Sequence, residues 1–221
     1  MRIATTKCNQ FGHPEVVLES DESQVPDVYL KNVVETLETM VASGSVFSPE
    51  QLFQIGWGVT LVKSAGNMLS LVEPDMEAFP FKWTKGITNT LRQMMVQLFM
   101  LDSVGLREQM DAPSFCESLV VCNHYNESNF FMSRSEGSGG TDSGWFIGCL
   151  NDDHSHDDEG NLKCVSVYEA FLNQRGVQGF ASFPVGSMIV VEPGNQIRVY
   201  NEDVELDIVS GSFLDEWFKQ Q

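Results

Sequence analysis

The periodicity of apolar residues changes once along this chain, at Pro113, and that change limits the folds open to it. Before it lie two stripes at helical spacing. Leu30, Val33, Val34, Leu37, Met40 and Val41 recur at three and four residues, behind Asp27 as an N-cap and ahead of Gly44, which can take the left-handed conformation that ends a helix. Ile87, Leu91, Met94, Met95, Leu98, Leu101 and Val104 form the second stripe, stopped by Gly105. Between the stripes, Phe53, Ile55, Trp57, Val59 and Leu61 alternate as one strand, Gly66-Asn67 marks a turn, and Met68 to Val72 returns, so a hairpin is expected. After Pro113 the apolar runs are short and turn-bounded: Leu119 to Cys122, Asn129 to Met132, Gly144 to Leu150, Lys163 to Val165, Met188 to Val191, Ile197 to Tyr200 and Val204 to Ile208. A helix over Val167 to Arg175 interrupts them behind the capping-box pair Ser166 and Glu169, and a short one is expected from Ser212. The pattern predicts an α+β chain in two portions: residues 1–112, helix-rich with a hairpin, and residues 113–221, a mostly antiparallel sheet with one or two helices.

A hydrophobic fraction of 42 % and an aromatic fraction of 10 % supply ample core for 221 residues and argue against disorder. On that core sits a formal net charge of -18, from 31 carboxylates against 13 Lys and Arg. Such a surface is repelled by nucleic acid and by anionic lipid, so neither is an expected partner. Its complement is a basic protein, and proteins that handle nucleic acid are the commonest of those. The apolar stretch Met94 to Leu101 falls far short of the roughly 20 residues a membrane helix needs. Arg2 and Lys7 are followed by Cys8, Asn9 and Gln10 where an export signal needs an apolar run, so a cytoplasmic protein is expected. Cys8, Cys116, Cys122, Cys149 and Cys164 are an odd, scattered set without a Cys-x-x-Cys pair, which points away from a disulfide framework or a structural zinc site. No cofactor and no metal are expected on that ground.

One segment concentrates chemistry. Asp152, Asp153, His154, His156, Asp157, Asp158 and Glu159 place two imidazoles and five carboxylates in a single loop. Read as a calcium loop from Asp153, the segment lacks the Gly needed where Asp158 stands and the Glu needed where Cys164 stands. His154 and His156 can share one side of an extended segment and hold zinc or nickel, but spacing names no third ligand. A thiol–imidazole pair, Cys122 with His124, is the other chemical candidate, although the alternation through Leu119 to Cys122 puts the thiol inside a strand, where it is inert. The glycines of Ser135 to Thr141 are not followed by Gly-Lys-Ser or by a helix, so they read as a hairpin connection rather than a phosphate cradle. With no nucleophile elbow, His-Glu-x-x-His or dinucleotide fingerprint, the chain is not expected to be an enzyme; a metal- or thiol-dependent enzyme using these residues is the alternative.

Arg134 before a polar loop, Asp142-Ser143-Gly144-Trp145 opening a strand, Tyr168 at a helix start and Pro184-Val185-Gly186-Ser187 entering a hairpin together resemble the immunity-33-like domain over roughly residues 115–208. The acidic run that usually follows the Trp is displaced here into the longer Asp152 to Glu159 loop. The resemblance implies an immunity protein of an effector–immunity pair, as in type VI secretion and bacterial competition, which binds a cognate toxin and neutralises it. The charge adds that the toxin is basic, a nuclease domain above all, and that its groove is blocked by an acidic surface. The motif residues themselves read as scaffold, Gly144 and Trp145 at a core-packed strand entry and Pro184 and Gly186 fixing a turn. The expected partner contacts are therefore Asp152, Asp153, His154, His156, Asp157, Asp158 and Glu159.

Overall fold

The computed structural model describes residues 1–75, 82–151, 154–192, 194 and 196–217. Contacts between Cα atoms divide the chain into two compact units, Met1–Met94 and Met95–Gln221.

The first unit is built on a sheet. Strands β1 (Arg2–Ala4), β2 (Val16–Glu19), β3 (Leu52–Ile55), β4 (Gly58–Ala65), β5 (Met68–Pro74) and β6 (Trp83–Lys85) form six strands in the order β1-β2-β5-β4-β3, with β6 also on β5. The β2–β5 pairing is parallel and the other pairings are antiparallel. Helix α1 (Asp27–Ala42) packs Leu30, Val33, Leu37 and Val41 into a core shared with Leu18, Val62 and Leu71. Its N-cap is Pro26, and Asp27 is instead a first-turn residue paired with Lys31.

The expected helix-rich N-terminal portion is thus corrected to a sheet-dominated one. Three physical reasons account for the difference. Strands β1 and β6 are three residues each, too short for a period to register. Strand β2 buries Val16, Val17 and Leu18 in succession, as a strand covered on both faces does, so it shows a run instead of an alternation. The stretch from Leu52 to Leu61 is two strands, because Gly56 takes φ 59° and Ile55 pairs back with Gly58.

Helix α2 (Thr88–Asp102) crosses the division between the units. Ile87 and Leu91 are buried in the first core. At its start the buried Glu73 accepts from the amides of Asn89 and Thr90 at 3.0 and 2.7 Å, occupying two of the donors a helix leaves free. Further along, in the second unit, Gln97 Nε2 donates to the Gln178 carbonyl at 3.0 Å.

In the second unit β7 (Ser118–Cys122), β8 (Phe130–Arg134), β9 (Asp142–Cys149), β10 (Leu162–Ser166), β11 (Ser187–Glu192), β12 (Gln196–Asn201) and β13 (Val204–Glu205) make a sheet of order β10-β7-β9-β8-β11-β12-β13. This sheet is mixed as well, since β7 and β9 run parallel. Helix α3 (Val167–Asn173) begins at Ser166, whose Oγ accepts from the Glu169 amide at 3.0 Å, and α4 (Phe213–Trp217) closes the described chain. Parallel pairing has a local consequence: β7 and β9 finish at the same edge, and their last residues are Cys122 and Cys149.

Arg134, Asp142, Ser143, Trp145 and Gly186, up to 52 positions apart, meet in this unit. Arg134 is buried; it donates to the carbonyls of Phe183 (2.6 Å), Ser143 (3.3 Å) and Asp111, and its guanidinium lies 5.7 Å from the Trp145 ring centroid. Trp145 Nε1 donates to the Ala181 carbonyl at 3.1 Å, and the Gly186 amide donates to the Arg134 carbonyl at 2.8 Å. Asp142 accepts from the Ser138 amide, the Ser138 hydroxyl and the Gly144 amide, which hold its carboxyl below the usual range and fold the polar loop onto the strand.

Among the described residues no helix is long and apolar enough to cross a membrane.

Candidate functional site

The loop between β9 and β10 divides its side chains by chemistry. Asp152 and Asp153 lie outside the described residues. Asp157, Asp158 and Glu159 are exposed, whereas His154 and His156 are half-buried. The expected contact patch is therefore two sets: carboxylates directed to solvent and imidazoles directed inward.

The inward set meets the two strand-end thiols. Cys149 Sγ lies 3.6 Å from His154 Nε2 and 3.8 Å from His156 Nε2. The ligating atoms of Cys122, Cys149, His154 and His156 all fall within 4.8 Å of one another, and both thiols are free and buried. The Cys149 amide donates to Cys122 Sγ at 3.2 Å. The two imidazole rings stand nearly perpendicular, with centroids 4.9 Å apart.

Aromatic rings wall the cluster. Phe131 and Phe146 present edges to His156 at centroid distances of 5.5 and 5.7 Å, and Phe131 and Phe146 pack on each other. Burial, then the neighbouring His154, holds the His156 imidazole below its ordinary value, with Asp157 opposing. Burial pushes the Cys149 thiol up; the Asn151 amide draws it down, and Cys122 and Glu127 add to the rise.

The loop is tied down behind this cluster. Asn161 Nδ2 donates to the Ser155 carbonyl at 3.0 Å, and the Asp157 amide to Ser155 Oγ at 3.1 Å. Asp158 Oδ1 accepts from the Gly160 amide at 2.9 Å. The Asn123 amide donates to the Asn161 carbonyl at 2.9 Å, which fastens the far end of the loop beside Cys122. Asn151 Nδ2 donates to Glu127 at 2.8 Å.

His124 sits one ring outward. Its centroid is 5.0 Å from that of His154, and its Nδ1 lies 3.4 Å from Glu127. The partner of Cys122 is thus the Cys149, His154 and His156 group, and His124 stands beside that group instead of in it.

Spacing alone left His154 and His156 without further ligands; the fold supplies Cys149, four residues before the first imidazole in the intervening count, and Cys122 from the adjacent parallel strand. The signal available in the sequence was Cys149-x4-His154-x-His156, a three-donor run whose first member closes a strand.

A second group of exposed acids, which the sequence reading passed over, lies at the other end of the sheet. Glu202, Asp203, Glu205 and Asp207 are exposed on and beyond the β12–β13 turn, and Glu202 and Asp203 form that turn with φ of 48° and 63°. Two left-handed central residues are what a tight hairpin needs, and the usual occupants are Asn and Gly. Here two carboxylates take their place.

No family model matches the chain, and no curated protein or solved structure is significantly similar to it.

Proposed function

We propose that the protein is a cytoplasmic immunity-type binding protein, which neutralises a basic toxin or effector, a nuclease domain above all, by covering its cationic groove with acidic surface and without chemistry of its own. The observation that carries this reading is how the charge is distributed. Residues 95–221 hold 20 carboxylates against six Lys and Arg, so the second unit has a net charge of -14 and the first only -4. Of those six cations, Arg134 is buried, and Arg107 and Arg198 pair with Asp102 and Glu192. Two exposed acidic groups, Asp157 to Glu159 and Glu202 to Asp207, lie on connections of the same sheet. A concentrated field steers an oppositely charged protein into encounter and raises the association rate by about 10–10³-fold.

The convergence of Arg134, Ser143, Trp145 and Gly186 supports the immunity-33-like resemblance in the same unit. Five free cysteines accord with a reducing compartment. As for the enzyme alternative, an ion held by Cys122, Cys149, His154 and His156 would have four protein donors and no open position for substrate, which favours binding over catalysis.

The test is capture of the binding partner by the purified protein and its identification by mass spectrometry, followed by stopped-flow association in rising salt. A basic partner whose association rate falls steeply with ionic strength supports the reading. A neutral or acidic partner, or a rate indifferent to salt, overturns it.

A further inference from the structure

We infer that Cys122, Cys149, His154 and His156 form a structural zinc site that pins the β9–β10 loop to the ends of β7 and β9. The inference rests on geometry and donor chemistry, and it stands whether or not the partner reading does.

The donor set comes first. Two thiols and two imidazoles from three separate chain positions point their ligating atoms at one small volume, all within 4.8 Å of one another. In a tetrahedral zinc site with Zn–S of about 2.3 Å and Zn–N of about 2.0 Å, a sulfur and a nitrogen lie about 3.5 Å apart. The two sulfur–nitrogen edges at Cys149, 3.6 and 3.8 Å, are already close to that value. The Cys149 sulfur faces both Nε2 atoms, whose roles as donor or acceptor follow the tautomer of each ring. A cation at the centre satisfies all four lone pairs at once.

The surroundings agree. The Cys149 amide directed at Cys122 Sγ is the kind of outer-shell donor that stabilises a metal-bound thiolate. Two thiolates cancel the charge of a divalent ion, so a site walled by Phe131 and Phe146 carries no net charge into an apolar setting. Softness selects the metal: sulfur and imidazole in a tetrahedral set favour zinc over magnesium, calcium or manganese, which prefer oxygen. With all four positions occupied by protein the site is of the closed, structural kind. A Cys122–Cys149 disulfide is the competing fate of the same two sulfurs.

The full-length chain, freed of any affinity tag, is purified without chelator and its metal content measured. One zinc per chain is expected. Apoprotein titrated with cobalt(II) should saturate at one equivalent and show both the intense visible band of tetrahedral coordination and thiolate-to-cobalt charge transfer. Cys149→Ser and the His154→Ala/His156→Ala pair should weaken zinc retention against a competing chelator by more than the roughly 10–100-fold that losing an outer-shell partner costs. His124→Ala and Cys164→Ser should retain the metal. Should the buried cysteine variants fail to fold, the histidine pair, on a surface loop and checked by circular dichroism, decides alone. Sub-stoichiometric metal with no tetrahedral cobalt spectrum overturns the assignment, as does uptake unchanged in the histidine pair. A Cys122–Cys149 disulfide in protein from reducing cytosol, found by mass spectrometry, overturns it too.

Discussion

The backbone amide of Cys149 donates to the sulfur of Cys122 across 3.2 Å, and so joins the final residues of two parallel strands. Asn123, Asn151 and Asn161 tie the β9–β10 loop by hydrogen bonds at exposed or half-buried positions. Each of those is worth only about 0.5–1.5 kcal/mol net. A metal held by the thiols and imidazoles, as inferred above, would hold the loop more strongly than any one of these bonds. Removing the metal from protein that holds it at 100 times its dissociation constant forfeits about 2.7 kcal/mol. For a chain of this size that lowers Tm by about 5–10 °C. Differential scanning calorimetry with EDTA, then with zinc or magnesium restored, checks it: zinc should recover the transition and magnesium should not.

At Gly144 the fold leaves no space for a side chain. It has φ 75°, and a Cβ there would lie 2.0 Å from the Ser135 carbonyl oxygen. That oxygen belongs to backbone and cannot swing aside. Gly144→Ala should cost at least about 4 kcal/mol, beyond the usual range of single substitutions, and leave the second unit unfolded or barely folded at 25 °C. Urea denaturation read by Trp fluorescence reports it, because Trp145 is the next residue and is buried.

Residues that announce themselves by local chemistry were readable before the fold. The helical stripes of α1 and α2 and the Ser166 cap of α3 are of this kind, since helix periodicity and capping act over three or four residues. The first sheet was legible only at its Gly66-Asn67 hairpin, because β2 pairs in parallel with β5 half a unit away and buries both faces, which erases the alternation. The candidate site shows the same divide. His154 and His156 stand out locally, but Cys122 joins them only through the parallel β7–β9 register, a pairing that no local pattern encodes. Gly144 and Trp145 were legible as a core-packed strand entry; the carbonyls Arg134 serves, Asp111 and Phe183, were not.

Glu38 on α1 provides a pH-dependent contribution whose sign is determined by its partners. It is buried, accepts from the Thr6 amide at 2.7 Å and pairs with Lys7 Nζ at 2.9 Å. The Thr6 amide foremost, then Lys7, holds its carboxyl below its ordinary value of 4.5, against the opposing effect of burial. Between the depressed value and the ordinary one, the unfolded chain binds more protons than the folded chain, so stability rises with pH through that window and is complete above it. Glu38→Gln should cost about 1.5–3 kcal/mol at pH 7, as expected for a lost charged hydrogen bond. The gap to wild type should close as pH falls through the folded value, a comparison that urea titrations at pH 7, 5 and 3.5 make directly.

The two acidic groups of the second unit give the partner reading its sharpest check. Asp157→Asn/Asp158→Asn/Glu159→Gln removes three charges yet keeps at position 158 the oxygen that accepts from the Gly160 amide. Glu202→Gln/Asp203→Asn/Glu205→Gln/Asp207→Asn removes four at the opposite end of the sheet, with Asn tolerated at the left-handed position 203. Both sets lie on exposed connections, so neither should shift Tm by more than a few degrees. Charges at the rim of an interface act mainly on encounter, so the set that faces the toxin should slow association about 3–10-fold at low salt. The difference should shrink above about 0.5 M salt, where the screening length drops below 5 Å. The set that faces away should change the rate only modestly. If neither set alters association at low salt, the surplus charge serves solubility, and the proposed steering of a basic partner by these two groups fails.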